Sequence, residues 1–189
     1  MRKIITAAAV TGLIAAGAIT ASLTAHADTP PAGTSATLAV SGGDLSITTQ
    51  SDASFSSVAA GQTSAGGQLG TVTVTDMRAQ LDGTWTASAT SSDFTSSVTG
   101  AAAIPVTDIT YAPGATSNTS GNASFTPGTA AGTDGTTPAV MSTDTGVTAY
   151  TTADEIGIAS VSWDPTIHIA LPSDAVAGTY SGTITHSVG

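Results

Sequence analysis

Side chains able to move protons or attack a carbonyl are scarce in this chain. It holds three histidines (His26, His168 and His186), a single glutamate (Glu155), no cysteine, and only three bases, Arg2, Lys3 and Arg78. Acid–base catalysis needs a group that titrates near the working pH, and a nucleophile needs a base beside it. Past residue 27 the candidates shrink to His168 and His186. His168 stands between Ile167 and Ile169 and so points to the face opposite theirs, where a solvated or cross-strand imidazole is expected. His186 is similarly placed near the C-terminus. No Gly-x-Ser-x-Gly elbow, His-Glu-x-x-His pair or nucleotide loop is present. A hydrolase would require one of these histidines within reach of a carboxylate and a hydroxyl in a pocket. The pattern reads as a protein that is not an enzyme.

Three other groups could recognise rather than react. Asp76 and Arg78 are two residues apart, hence on one side of a strand, and Arg78 is the one Lys or Arg past residue 27. With thirteen acids available, an Asp76–Arg78 ion pair tying a strand end to the following turn is expected, leaving no free guanidinium for a ligand. Trp85 shares a strand face with Ala87 and Ala89, small neighbours that leave room for a central core ring; a ligand platform is its second reading. Trp163 ends the run Val161-Ser162-Trp163-Asp164-Pro165 where a strand breaks into a turn, so its ring is expected partly exposed, capping the core or stacking on a sugar. Acidic stretches at Asp134-Gly135-Thr136, Asp144-Thr145-Gly146 and Asp154-Glu155 offer oxygen ligands to calcium, without the spacing of an EF-hand loop.

The elements that would position these groups are strands. The chain has 36 Thr and 23 Ser beside 21 Gly, a composition that favours strands and turns over helices. In 68–76, Val72 and Val74 face one way and Thr71, Thr73 and Thr75 the other, the period-two signature of a half-buried strand. Trp85, Ala87 and Ala89 alternate in the same way with Thr86, Ser88 and Thr90. Further strands are expected over 36–40, 45–49, 104–111, 123–126, 156–163, 166–171 and 178–188, making an all-β antiparallel sandwich of roughly nine strands. Ser173–Gly178 reads as a tight connection. From 112 to 146 the sequence turns to Pro, Gly, Thr, Asn and Ala, and a long loop is expected there. Acids near strand ends, among them Asp44, Asp52, Asp93, Asp108 and Asp174, would guard sheet edges in place of lysine.

The N-terminus points to export. Arg2 and Lys3 precede an uncharged run, 4–25, closing on Ala25-His26-Ala27, the form of a secretory signal peptide helix over 1–27. A flexible lead-in over 28–35 would follow, then one sandwich domain over 36–189. Residues 28–189 carry thirteen acids and one base, a formal charge of −12. That charge excludes nucleic acid and, after cleavage, anionic membrane surfaces as partners, since both are bound through Lys and Arg. With no cysteine, an exported chain of this kind must be held together by its core alone.

Two segments carry a recognisable pattern: Leu69-Gly70-Thr71-Val72-Thr73-Val74-Thr75-Asp76-Met77-Arg78 with Gly83-Thr84-Trp85-Thr86-Ala87-Ser88-Ala89 and Asp93-Phe94-Thr95, and the C-terminal run from Pro172 to Val188. Together they resemble the WxL-type surface domain of Gram-positive bacteria, in a divergent, actinobacterial secreted form. Trp85-Thr86-Ala87 keeps the tryptophan of the family's first Trp-x-Leu motif and shrinks its leucine. His186-Ser187-Val188 takes the place of the second, so His186 is a motif position whose chemistry has changed. The resemblance implies an all-β module that holds an exported protein non-covalently on peptidoglycan, with Trp85, Trp163 and His186 as candidate binding residues. The alternative expectation is a structural or assembly subunit that pairs through sheet edges with itself or another exported protein. Anionic wall polymers would repel a −12 chain, so wall contact would need screening, bridging cations or neutral sugars.

Overall fold

A computed structural model describes residues 34–59, 61–128 and 136–189. The expected signal peptide and the first part of the lead-in lie outside the described residues, as does Asp134 of the acidic stretches. The chain divides into two compact units, Met1–Leu38 and Ala39–Gly189. The described part of the first, 34–38, carries no helix or strand. The strand expected over 36–40 does not form. Leu38 and Val40 alternate as a strand would, yet 87% and 82% of their surfaces are exposed, because alternation yields a strand only where a sheet takes the apolar side.

The second unit is an all-β antiparallel sandwich. Among the described residues its strands are β1 (Leu45–Thr48), β2 (Ser64–Gln68), β3 (Val72–Ser91), β4 (Thr95–Ser96), β5 (Ile109–Ala112), β6 (Thr116–Pro127), β7 (Ala139–Val140), β8 (Val147–Trp163), β9 (Thr166–Ala170), β10 (Tyr180–Ser181) and β11 (Ile184–Val188). Eleven strands thus replace the nine expected. A five-stranded sheet runs β1-β3-β8-β6, with β11 also paired to β3, and a four-stranded sheet runs β2-β9-β5-β7. A short β4–β10 ribbon completes the set.

Two of the expected strands are one. The runs around Val72 and Trp85 join as the 20-residue β3, paired along its length with the 17-residue β8. The stretch between them loses its alternation because the ladder is offset from Asp76 to Trp85. Ala79 and Asp82 on β3, and Asp154 and Gly157 on β8, take left-handed backbone there, as bulges require. The loop expected over 112–146 is corrected as well: it holds β6, twelve residues against β8, and β7 against β5.

The inner faces of both large sheets meet in one core. β3 supplies Val72, Val74, Trp85 and Ala87, β8 supplies Tyr150, Val161 and Trp163, and β5 and β9 supply Ile109, Tyr111, Ile167 and Ile169. Each large aliphatic or aromatic side chain buried here contributes roughly 1.5–3 kcal/mol, the driving force left to a chain without disulfides. His168, between the two buried isoleucines of β9, is exposed. The 173–178 connection is a turn closed by the Ala175 N–H on the Pro172 carbonyl at 3.0 Å.

Candidate functional site

The bulged middle of β3 and β8 gathers the strongest charges inside the molecule. Asp76 follows Val72 and Val74 onto the inner face and is 2% exposed. Two residues on, Arg78 turns back over it. Its Nε lies 3.0 Å from both carboxylate oxygens, its Nη2 2.6 Å from Oδ2, and its backbone N–H donates to Oδ1 at 2.8 Å. Nη2 also donates to the Thr84 carbonyl at 3.0 Å, so one guanidinium closes the bulge onto the strand. These bonds hold the Asp76 carboxyl below its ordinary range.

Across the ladder, Glu155 stands opposite Gly83 and is 1% exposed. Among the described residues neither of its oxygens has a hydrogen-bond partner of good geometry, and the same holds for the nearby Trp85 indole N–H. Burial, and then the Asp76 charge, raise the Glu155 pKa. Two carboxyls with pKa values driven apart are the raw material of acid–base catalysis. A substrate must reach them, however, and neither of the two clefts described below is lined by Asp76 or Glu155. The cluster pins the bulge.

Trp163, expected partly exposed, is fully buried. Its ring packs 4.6 Å from that of Tyr150, and its indole N–H donates to the Tyr111 hydroxyl at 3.2 Å. That hydroxyl lies 3.1 Å from His186 Nε2. Tyr111 accepts from Trp163 and shares a second hydrogen bond with His186, which links the three side chains in one chain. Burial pushes the His186 pKa down to about 4, so the ring is neutral at physiological pH, and its partner is a phenol rather than a carboxylate. Burial also raises the Tyr111 pKa. Trp85, 4% exposed, packs on Phe125 of β6 with ring centroids 6.1 Å apart. Neither tryptophan can stack on a ligand. Trp85 takes the core place that its small strand neighbours lead one to expect, whereas the partly exposed ring expected of Trp163 is corrected to core packing, because the Asp164-Pro165 turn says nothing of the ring's partners.

The other side of the same sheet is polar. Because Val72, Val74, Val161 and Trp163 point inward, Thr73, Thr75, Ser160 and Ser162 point outward. The pairing register aligns them in rows across four strands. One row is Ser46, Thr75, Ser160 and Ser120; the next is Thr48, Thr73, Ser162 and Asn118. The hydroxyls of Thr73 and Ser162 lie 2.8 Å apart, as do those of Ser120 and Ser160. Beyond the bulge the pattern resumes with Thr86, Thr151 and Thr126, and with Ser187 beside Ser88 at 3.2 Å. No row contains a charged residue. Between the two hydroxyl fields lie the exposed apolar side chains of Met77, Leu81, Ile156 and Ile158, around a dimple of about 180 Å³ at Met77, Ile158 and Gly121. The alternating threonines were visible in the sequence; their alignment across strands was not.

A larger cleft of about 1060 Å³ lies between the edge of the four-stranded sheet and the β4–β10 ribbon, with Phe55, Leu69, Leu171 and Tyr180 on its walls and Phe94 and Ile104 behind. Asp52 is its one carboxylate. Among the described residues no group of three or more His, Asp or Glu side chains comes together to hold a metal ion. Glu155 is turned into the core, away from the calcium role considered for Asp154-Glu155. No described helix is long and apolar enough to cross a membrane.

The comparisons with family models, curated proteins and solved structures gave no match to this chain.

Proposed function

We propose that this is a secreted, non-catalytic surface protein that associates non-covalently with cell-wall peptidoglycan, and that the contact is the outer face of the five-stranded sheet. The observation that carries this reading is the pair of four-residue hydroxyl and carboxamide rows on a protein of formal charge −10. A hydroxyl donates and accepts at once, the chemistry by which a surface can exchange water for sugar hydroxyls without demanding one orientation. The two rows themselves carry no charge, which lets neutral glycan approach them, while the acids elsewhere keep the molecule soluble. The signal-like N-terminus and the WxL-like segments argue in the same direction. The apolar strip of Met77, Leu81, Ile156 and Ile158 would meet the less polar faces of sugar rings.

Co-sedimentation of the purified protein with bare peptidoglycan sacculi tests this. Binding is expected, together with its loss on Ser46→Glu with Ser162→Glu, two outward positions whose substitution leaves the core untouched. Protein that stays wholly in the supernatant at all salt and calcium concentrations would end the wall reading. Binding indifferent to the two glutamates would move the contact to another face.

A further inference from the structure

The borders of the two large sheets are unequal. β1 has four residues, β2 and β11 five each, and β7 two. β6, the border of the five-stranded sheet beyond β8, has twelve. Natural sheets blunt their borders by shortness, charge, proline or bulges, because a long open strand is a template for another. β6 contains no Asp, Glu, Lys or Arg. Its one proline, Pro127, is its last residue, and its pairing with β8 is offset between Thr116 and Asn118 and again past Gly121, leaving Asn118–Gly121 as the regular stretch. Asn118–Gly121 pair with Ser162–Ala159 in unbroken register, and every side chain from Thr116 to Ser120 is exposed. β8 is the one described strand paired with β6, and an antiparallel strand with a single partner leaves part of its backbone N–H and C=O groups aimed outward.

We infer that β6 pairs antiparallel with β6 of a second copy of this chain, about a two-fold axis at Thr119. A two-fold interface must be complementary to itself, and Asn118–Ser120 meets that condition about Thr119: each side chain is a neutral hydroxyl or carboxamide, donor and acceptor together. Cross-strand Thr and Ser pairs of this kind favour association, and like charges oppose it. A foreign strand bearing charge would find nothing on β6 to neutralise it, whereas a second β6 brings no charge to the joint. With Thr119 opposite its counterpart, Ser120 faces Asn118 of the second copy. The row Ser46, Thr75, Ser160, Ser120 then continues into the equivalent of Asn118, Ser162, Thr73 and Thr48, doubling the width of the hydroxyl face. Gly121 sets the limit of the joint. Its backbone is left-handed, and a Cβ there would collide with the Ile158 carbonyl, so the border bends away just past Ser120.

Sedimentation velocity on the purified protein over a wide concentration range, with no wall material present, reads this independently of peptidoglycan binding. The mass should rise towards that of a dimer. Thr119→Lys, an exposed position whose substitution should leave the circular dichroism spectrum unchanged, puts two like charges across the axis and should weaken dimerisation at least roughly tenfold. Because the chain has no cysteine, Thr119→Cys should yield a disulfide-linked dimer under mild oxidation while Thr48→Cys, on the opposite border, should not. A mass that stays monomeric at every concentration would overturn the inference, including in favour of a strand from a different protein. So would dimerisation undisturbed by Thr119→Lys, or equal cross-linking through Thr48→Cys.

Discussion

Glu155 is buried and His186 half-buried against their electrostatic interest, and they tilt stability in opposite directions of pH. Glu155 is faced by Asp76, Arg78 and the Trp85 indole, and its raised pKa means the folded protein holds its proton more tightly than the unfolded chain does. The stabilisation is complete below the unfolded pKa and is lost as pH rises through the folded one. His186, faced by Tyr111 and through it by Trp163, has a folded pKa of about 4 against an ordinary 6.5. Its stabilisation is present above 6.5 and is lost as pH falls towards 4. Asp76, with its lowered pKa, adds to the acid limb. Thermal unfolding against pH should therefore show His186→Gln losing less stability than the parent as pH falls below 6.5, and Glu155→Gln losing less than the parent as pH rises above the ordinary carboxyl range. A variant profile parallel to the parent's would remove that residue from the account. None of this burial was legible locally. The flanks of Glu155, Asp154 and Ile156, look like surface, and its seclusion depends on a bulge in β3 far away in sequence. Trp85 was legible, because the small residues that make room for it lie on its own strand.

At the scale of the element, β6 shows why a strand can hide. A strand is read from apolar alternation, and alternation records one wet face and one dry face. The first half of β6 is exposed on both faces, so selection for a dry side never left its mark. Only Ala123 and Phe125, partly covered against the core, revealed the second half. β9, with Ile167 and Ile169 in and His168 out, was legible for the opposite reason. The tight approach of β6 to β8 gives the next prediction. Gly121 and Gly157 both have left-handed backbone, at φ values of +85° and +83°. Gly157→Ala meets open space and should cost about 1 kcal/mol, the left-handed penalty alone. Gly121→Ala adds a collision with the Ile158 carbonyl and should cost roughly 2–4 kcal/mol. Denaturant midpoints compare the two, and equal losses would mean that β6 moves off β8 freely.

For the whole molecule the governing quantity is charge. A formal −10, with Arg78 already bonded to Asp76, leaves the remaining acids to repel one another across the surface. Self-repulsion of this kind destabilises the compact state and is relieved by salt, whose screening length falls from about 30 Å at about 0.01 M to about 8 Å at about 0.15 M. The same screening separates two modes of wall attachment. A protein held by opposite charges lets go as salt rises. One held by neutral hydroxyls against neutral sugars, and repelled by anionic polymers in the same wall, should hold on more tightly. Binding to whole walls that retain their anionic polymers is therefore expected to strengthen across that salt range, whereas binding to sacculi stripped of them should barely change. Quantitative co-sedimentation on the two wall preparations makes the comparison. Weakening with salt on both would show that acids rather than hydroxyls make the contact, with the hydroxyl rows left as the solvated back of a sheet.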